Sequence, residues 1–297
     1  MKHIPVLLNE SIDGLAIKEK DVVVDGTLGG GGHTLEILKR FGNQITLIGF
    51  DLDKDAIDRV NKLIDKKIKN VYLENFGFQD LKNVLKKKSI DKVNRILLDL
   101  GISSFQLEEA GRGFSFQKDE PLLMTMKKEI SKDDLTAQEI VNFWEEETLS
   151  DIIYGFGEER YSRKVAKAIV LAREKEKIRT TFDLVKIIEN AIGHHYKGKR
   201  IHPATKTFQA LRIAVNSELT NLEKVIEDGV EVLDKGGRMA IITFHSLEDR
   251  IVKRAFKNID SLGKGKIINK KPILPKESET EENPRSRSAK LRLLEKI

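Results

Sequence analysis

The sequence predicts an α/β protein in which a parallel sheet is flanked by helices and interrupted by an inserted all-helical domain. Between residues 21 and 100, short apolar runs alternate with helix-like stretches, which is typical of parallel strands joined by crossover helices. The alternation stops at Ser104, and only helical patterns follow as far as Gln209. We therefore expect two domains. Residues 1–104 with 211–297 form the α/β domain, and residues 105–210 form the insertion.

Five apolar runs are predicted as strands because they are short, continuous and rich in Val, Ile and Leu, as buried parallel strands are. They cover residues 22–24, 45–50, 71–73, 96–98 and 238–244, and shorter runs at 267–268 and 291–294 are candidates for the last strands. A long polar loop is expected between these last two runs.

Apolar residues spaced three and four apart predict helices between the strands and within the insertion. The predicted helices cover residues 33–41, 54–68, 78–88, 133–144, 163–175, 181–192, 215–233 and 247–256. Gly236 and Gly237 are expected to stop the helix that precedes the fifth strand.

The composition excludes several classes of protein. The 297 residues contain no cysteine, which rules out a disulfide scaffold and a cysteine nucleophile. The six histidines form no H-E-x-x-H pattern, so we predict no metal site. No apolar run approaches the ~18 residues that span a bilayer, and the N-terminus lacks the core of a signal peptide. A cytoplasmic protein without a membrane partner is the expectation.

The net charge of +6 is unevenly distributed. Residues 158–210 carry 13 basic and 6 acidic groups, and residues 261–297 carry 10 and 5. By contrast, residues 105–157 carry 5 basic and 12 acidic groups. Clustered Lys and Arg neutralise phosphates, so a nucleic-acid partner is one interpretation. The other is a set of solvated helix faces.

The strongest local signal is a glycine-rich loop that runs from Asp25 to His33, after the first strand and before a helix. Glycines let the backbone approach a ligand, and the start of a helix offers unpaired N–H groups. Ordinary tight turns also use glycines, but this placement favours a nucleotide-type cofactor. No Gly-Lys-Ser/Thr sequence follows, which disfavours ATP hydrolysis.

Asp25, Asp51 and Asp99 each end a predicted strand, so we expect them to converge at one crevice. Asp51 could accept hydrogen bonds from ribose hydroxyls, or serve as a helix cap, a role that Asp53 could fill instead. Three carboxylates would repel a pyrophosphate. They suit S-adenosylmethionine, which has a sulfonium, an ammonium and a ribose but no phosphate.

Two further segments have both a functional and a structural interpretation. His245 follows the fifth strand and faces the same crevice, as a general base, a contact to the substrate ribose, or part of a helix-capping cluster. His202 precedes another predicted helix, and Lys206 and Arg212 lie on or near one face of that helix. This segment either contacts a substrate phosphate or packs at a domain junction.

At these positions the chain resembles the bacterial small-subunit ribosomal RNA (cytosine-N4)-methyltransferase family, of the MraW type. The matching motifs occur in order along the chain. They are Asp25-Gly-Thr-Leu-Gly-Gly-Gly-Gly-His33, Asp99-Leu-Gly-Ile-Ser-Ser104, Arg112-Gly-Phe-Ser-Phe116, Gly157-Glu-Glu-Arg160, His202-Pro-Ala-Thr-Lys-Thr-Phe-Gln-Ala-Leu-Arg212, Phe244-His-Ser-Leu-Glu-Asp-Arg250 and Asn283-Pro-Arg-Ser-Arg287.

The resemblance implies a class I methyltransferase (Rossmann-like) fold and transfer of a methyl group from S-adenosylmethionine to N4 of one cytidine in the decoding region of 16S ribosomal RNA, within the small ribosomal subunit. The implied cofactor contacts are Gly31, Gly32, His33, Asp51, Phe78, Asp99 and Gln106. Either Phe76 or Phe78 could stack on the adenine, and Phe78 is preferred because Leu81 follows it at the family's spacing.

We expect catalysis to depend on Asp99. A backbone carbonyl of residues 99–102, with the Asp99 carboxylate nearby, would accept the N4–H bonds and localise the lone pair of the amine. The RNA backbone would be held by basic residues of the insertion, including Arg160, Arg163, Lys164 and Lys167, and by basic residues of the tail. The tail residues are Arg285, Arg287, Lys290 and Arg292.

Three alternatives stay open at this point: a nicotinamide-dependent oxidoreductase, a non-catalytic RNA-binding factor, and a methyltransferase acting on DNA or protein. A homodimer also stays open.

Overall fold

The computed structural model describes residues 5–108, 111–199 and 201–297. The chain divides into two compact units. We call Met1–Gly101 with Leu219–Ile297 the sheet unit, and Ile102–Glu218 the helical unit. The sequence placed these boundaries at 104/105 and 210/211, so the helical unit begins three residues earlier and ends eight residues later than the predicted insertion.

The sheet unit contains one seven-stranded sheet in the order β3-β2-β1-β4-β5-β7-β6. The strands are β1 (Val22–Asp25), β2 (Thr46–Phe50), β3 (Val71–Glu74), β4 (Val93–Asp99), β5 (Leu233–Thr243), β6 (Gly265–Ile267) and β7 (Lys290–Lys296). Strands β1 to β5 pair in parallel, whereas β7 is antiparallel to both of its neighbours. The order reverses between β1 and β4, which creates a crevice beyond the carboxyl ends of these strands.

Helices cover both faces of this sheet. Those of the sheet unit are α1 (Leu8–Leu15), α2 (Gly32–Phe41), α3 (Lys54–Leu63), α4 (Leu81–Lys87), α11 (Glu218–Val232), α12 (Ser246–Ser261) and α13 (Glu277–Glu282). Successive residues of a strand point to opposite faces, and here Val23 and Leu97 join one apolar cluster while Val24 and Leu98 join the other. The prediction of strands buried on both faces is therefore confirmed.

The helical unit has its own apolar core, in which Leu122, Ile140, Ile169 and Ile188 are fully buried. Its helices are α5 (Ser104–Glu108), α6 (Ala137–Phe143), α7 (Glu146–Gly155), α8 (Ser162–Arg173), α9 (Thr181–Ile192) and α10 (Thr205–Asn216). Within the described part of this unit no strand occurs beyond an isolated bridge between Pro121 and Thr180. The predicted helix over residues 181–192 is confirmed.

Several predicted boundaries were wrong for local reasons. Strand β5 begins at Leu233, ahead of the glycine pair, because Leu233 pairs with Val93 before the register shifts. The helix predicted over 215–233 begins at Glu218, because Ser217 adopts a left-handed conformation with φ of 49° and ends α10. The polar loop before β7 contains α13 and a 3₁₀ turn. Helices α1 and α7 were not predicted.

No helix among the described residues is long and apolar enough to cross a membrane.

Candidate functional site

Three carboxylates meet at the crevice of the sheet unit. Asp25 and Asp99 are the last residues of β1 and β4, and Asp51 follows β2. These three strands are neighbours, with β1 between the other two. Asp25 is close enough to Asp51 and to Asp99 for its charge to raise the pKa of both. The sequence prediction placed the three aspartates at one edge, and the structure brings them together there.

Asp25 organises the beginning of the glycine loop. The Thr34 hydroxyl donates to Asp25 Oδ2 at 2.7 Å, and the Thr27 N–H donates to Oδ1 at 3.1 Å. The Thr27 hydroxyl in turn accepts from the Asp99 N–H at 2.6 Å. Burial raises the pKa of Asp25, and the hydrogen bonds from Thr34 and Thr27 offset part of that shift. Asp25 therefore fixes the loop from within and connects β1 to β4.

Asp51 connects the loop to β2. Its carboxylate accepts from the Gly29 N–H and from the Asp53 N–H, both at 2.8 Å. Burial raises the pKa of Asp51 to about 6, and the nearby charges of Asp53 and Asp25 act in the same direction. Asp53 is the residue that caps α3, since its side chain accepts from the Asp55 N–H at 3.0 Å. The capping role thus falls to Asp53, and Asp51 stays directed at the loop.

Asp99 is the carboxylate with an unsatisfied oxygen. Its Oδ1 is buried and has no hydrogen-bond partner among the described residues, while Oδ2 lies 3.6 Å from His33 Nδ1. Burial raises the pKa of Asp99 well above its ordinary value, with further contributions from Asp25 and Glu248. A buried acceptor without a donor costs free energy, which a ligand carrying N–H or O–H groups would recover.

His33 and the glycines before it are held by the N-terminal segment. The His33 ring donates from Nε2 to the Val6 carbonyl oxygen at 3.2 Å, because a carbonyl can only accept. A Cβ on Gly32 would lie 2.1 Å from Pro5 Cγ, and one on Gly31, where φ is +79°, would lie 2.7 Å from Val60 Cγ2. Close packing within the chain thus requires both glycines, a reason that the sequence analysis did not foresee.

The two candidate aromatic residues differ in their surroundings. Phe78 is half-buried and packs against the core, and a Cβ on Gly26 would lie 3.2 Å from Phe78 Cβ. Phe76 is 37% exposed, and Lys87 Nζ lies 5.2 Å from the centre of its ring. Phe78 therefore borders the glycine loop.

His245 occupies the turn between β5 and α12. Buried Glu248 accepts from the Phe244 N–H at 2.8 Å and from the His245 N–H at 3.4 Å, so the capping cluster that the sequence indicated is present. The two side chains also approach each other, with His245 Nε2 at 3.1 Å from Glu248 Oε1. Even so, both ring nitrogens are buried without a properly directed hydrogen bond to any described residue.

Three predicted residues of the helical unit have partners within that unit. Gln106 is buried on α5 and accepts from the Ser103 N–H at 3.0 Å. His202 Nε2 lies 3.1 Å from Glu189 Oε1, and Lys206 donates to the Glu158 carbonyl at 2.6 Å.

Arg212 is neutralised within the chain. Its guanidinium donates to both carboxylate oxygens of Glu218, each at 2.7 Å. A fork of two parallel hydrogen bonds is a strong form of ion pair, so this side chain has a structural partner rather than an open face for a phosphate.

The basic residues of the tail divide into two groups. Arg285 and Arg287 are exposed in the 3₁₀ turn before β7. Arg292 is 6% exposed and donates to Asp249 at 2.7 Å, and Lys290 donates to the same carboxylate at 3.2 Å. Arg292 was therefore wrongly expected on an RNA-binding surface. In the helical unit, Arg160 and Arg163 are exposed.

Sequence reasoning missed Thr27 and Thr34, which hold Asp25, and the carbonyl of Val6, which orients His33. The spacing of Asp25 and Thr27 is a turn signal that could have identified the first of these bonds. Nothing local in the sequence indicates the contact to Val6.

A doubly wound parallel sheet of this order, with one antiparallel strand and a carboxylate-lined glycine loop at its switch point, defines a class I methyltransferase. Comparisons with known proteins specify the family. The model of the MraW methylase family matches residues 1–297. The chain is 49% identical over 311 residues to the ribosomal RNA small subunit methyltransferase H of Clostridium botulinum strain Kyoto, and 50% identical over 313 residues to that of Acetivibrio thermocellus. Each alignment covers 100% of this chain and 99% of the relative.

This chain belongs to the MraW methylase family. Among solved structures, an rRNA methylase from Streptococcus thermophilus aligns over 99% of this chain and 98% of its own, with a TM-score of 0.45 and 14% identity.

The cofactor of the family, S-adenosylmethionine, fits the residues that are present. Its ribose hydroxyls and ammonium group are donors, and the Asp51 carboxylate is an acceptor at the crevice. Its positive charge also suits a place where three carboxylates have raised pKa values.

Proposed function

We propose that this chain methylates N4 of a cytidine in the decoding region of 16S ribosomal RNA, using S-adenosylmethionine. The methyl group is supplied by the cofactor when it is bound. Membership of the methylase family and the names of the relatives support the reaction class and the RNA substrate. The buried oxygen of Asp99 supports the choice of N4. A ribosomal substrate would place the protein in the cytoplasm.

The observation that carries the proposal is the buried oxygen of Asp99 at the end of β4, which has no partner among the described residues. The lone pair of a cytosine amine is delocalised into the ring, so the amine reacts only when its N–H groups are held by acceptors. A carboxylate with a raised pKa is a stronger base than a solvated one, which suits it to accept a proton from this amine. Positioning of the amine in line with the methyl group supplies several kcal/mol of barrier reduction.

We assign cofactor binding to the residues around the crevice, with Phe78 rather than Phe76 on the adenine because Phe78 borders the loop. The set is Gly31, Gly32, His33, Asp51, Phe78 and Asp99, and the resemblance adds Gln106 of the helical unit. His245 is assigned to the substrate, since its buried ring nitrogens lack a well-directed partner among the described residues.

The RNA backbone is assigned to exposed cations of both units, namely Arg160, Arg163, Arg285 and Arg287. His202 and Lys206 are secondary candidates, because each already has a partner within the helical unit. Arg212 is assigned to structure instead, since Glu218 neutralises its guanidinium through two hydrogen bonds.

The test is transfer of labelled methyl groups to small ribosomal subunits taken from a strain that lacks the enzyme, followed by mass mapping of the modified nucleotide. A methyl group on N4 of one cytidine in the decoding region is the expected result. Methylation of another atom or another RNA contradicts the proposal, and an absence of transfer supports the non-catalytic alternative.

A further inference from the structure

The helical unit carries an exposed ladder of aromatic rings that the proposed function has not used. The rings of Tyr161 and His195 are stacked at 4.0 Å with an angle of 7° between their planes. His194 lies against this pair, with its ring centre 3.8 Å from that of His195 and an angle of 42° between the two planes, so it meets the stack at a tilt. The His194 side chain is exposed, which leaves its ring accessible to a ligand.

Cations surround this ladder. Arg160 Cζ lies 4.7 Å from the centre of the Tyr161 ring, and Arg160 also donates to the Tyr161 hydroxyl at 2.7 Å. Lys164 Nζ lies 5.6 Å from the centre of the same ring and 3.2 Å from His195 Nε2. Lys199 Nζ lies 4.5 Å from the centre of the neighbouring Tyr196 ring. These contacts place positively charged side chains beside the flat faces of aromatic rings.

The neutral form of His195 follows from its contact to Lys164. An ammonium group can only donate, so His195 Nε2 must accept and cannot carry a proton. Partial burial has the largest effect in lowering the pKa of His195, and the nearby cations Lys164 and Arg160 act in the same direction, which favours the neutral ring. A neutral His195 ring packs between Tyr161 and His194 without the cost of desolvating a charge.

Hydrogen bonds to a buried carboxylate hold the ladder in place. Buried Glu159 accepts from the Tyr161 N–H at 2.9 Å and from the Tyr196 hydroxyl, so one carboxylate holds both tyrosines. The preceding residue, Glu158, is tied through its carbonyl to Lys206, and a Cβ on Gly157 would lie 2.5 Å from the Lys206 carbonyl oxygen. Such preorganisation reduces the entropy lost when a ligand stacks.

We propose that Tyr161, His195 and His194 form a stacking platform for an unpaired nucleobase of the RNA substrate, with Arg160, Lys164 and Lys199 on the flanking phosphates. This inference rests on the proposed function for the identity of the RNA. Stacked aromatic rings beside cations are how proteins hold single-stranded nucleic acid, whereas the bases of a duplex are not accessible for stacking. An acidic protein partner would pair with the cations, but it would not account for the stacked aromatic rings.

The test compares two fluorescent RNA probes in anisotropy titrations with the full-length protein: an oligouridine of about 12 nucleotides, which lies within the usual site sizes for single strands, and an RNA duplex of equal length. The double variant H194A/H195A should bind the single strand roughly tenfold more weakly, as expected for the loss of one stacked base. It should bind the duplex as the unaltered protein does. The affinity for S-adenosylmethionine, measured by calorimetry, and the thermal denaturation curve should both stay unchanged, which shows that the sheet unit and the helical unit are folded.

Two matched variants separate stacking from charge. H194F keeps a flat ring without a titratable group and should bind the single strand at least as well as the unaltered protein, whereas H194K should not. Lys132→Ala removes an exposed cation from the acidic half of the same unit and should have no effect.

The proposal is overturned if H194A/H195A binds the single strand within twofold of the unaltered protein, if both probes weaken equally, if H194K but not H194F preserves affinity, or if the unaltered protein binds neither probe. The proposed function fails separately. If H194A/H195A weakens binding of the single strand but the protein does not methylate ribosomal RNA, the platform is supported and the proposed function is contradicted. If the protein methylates ribosomal RNA but the double variant binds the single strand normally, only the platform is contradicted.

Discussion

Asp25, Asp51 and Asp99 share one property: burial raises the pKa of each carboxyl group above its ordinary value. A raised pKa means that the ionised form is destabilised in the folded chain, so each carboxylate reduces stability at neutral pH. Active sites tolerate this cost where charge is needed. Their convergence could be predicted from sequence, because each aspartate ends an apolar run. Their environments could not, since the hydroxyls of Thr27 and Thr34 and the ring of His33 reach Asp25 and Asp99 only in the folded chain.

The pKa of Asp51 predicts how cofactor binding depends on pH. Below about pH 6 the carboxyl group is protonated and accepts hydrogen bonds poorly, so the affinity for S-adenosylmethionine should fall roughly tenfold for each pH unit below that value. Calorimetric titrations from about pH 5 to about pH 8 measure this dependence of the affinity on pH. Asp51→Asn should bind more weakly above pH 7 and lack the step near pH 6. A step that persists in the variant would assign it to another group.

The raised pKa of Asp51 also determines how the stability of the folded chain depends on pH. Because the folded pKa of Asp51 is above its unfolded value, the ionised carboxylate costs stability at pH 7, and the cost disappears as the pH falls through about 6 towards 3.8. Without cofactor, the stability of Asp51→Asn should therefore lack this dependence on pH, which thermal denaturation at several pH values measures. At any one pH the variant also loses one of the two hydrogen bonds that the carboxylate accepts, because an amide has a single acceptor oxygen.

Asp99→Asn tests the proposed catalytic role. With cofactor saturating, methyl transfer should fall roughly 100-fold or more, because an amide cannot take up the proton of the amine. Cofactor affinity is measured separately, so that a loss of binding is not mistaken for a loss of turnover. Asp25→Asn is the comparison, since the hydrogen bonds of Asp25 hold the loop. An unchanged rate in Asp99→Asn at saturating cofactor would exclude the role.

At the scale of elements, the glycine loop and α2 are held in place by the segment before α1. Pro5 fills the space beside Gly32, and the Val6 carbonyl fixes the His33 ring. The position of this loop after the first strand was predictable from sequence, because a run of glycines between an apolar run and a helical pattern favours a cofactor-binding loop. Its dependence on the N-terminal segment was not, since tertiary contact leaves no local pattern, and α1 itself was missed.

Gly32→Ala should destabilise the protein by about 1–3 kcal/mol and weaken cofactor binding, because the added methyl group requires Pro5 to move. Thermal denaturation and calorimetry measure the two effects. Gly155→Ala is the matched control: nothing lies within 4 Å of the added Cβ at this helical position. There stability should be unchanged or higher by up to about 1 kcal/mol. Equal effects of the two variants would show that packing against Pro5 is unimportant.

At the scale of the whole chain, the surplus of positive charge lies outside the five parallel strands, in one half of the helical unit and in the tail. The segment counts revealed this distribution, but they could not separate exposed cations from structural ones. Arg292 and Arg212 are bound to carboxylates, whereas Arg160, Arg163, Arg285 and Arg287 are exposed. Partners distant along the chain, such as Asp249 for Arg292, decide which cations can meet a phosphate.

Reversing both charges in R285E/R287E should weaken RNA binding and reduce the slope of log affinity against log salt by about 1–2, according to the number of phosphates that the two side chains neutralise. Titrations at several salt concentrations measure the slope. Arg254→Glu, at an exposed position on α12, is the control and should leave the slope unchanged. A slope that R285E/R287E does not alter would remove the tail from the RNA-binding surface.

The pairing of β4 with β5 has a consequence for how this protein folds. These neighbours in the sheet are separated along the chain by the entire helical unit, and β7, the last strand in the sequence, lies inside the sheet between β5 and β6. During synthesis the first four strands therefore emerge long before their remaining partners. If the helical unit folds on its own core in that interval, it shortens the loop that must close before β5 can join β4. Early folding of the helical unit would then speed the pairing of β5 with β4.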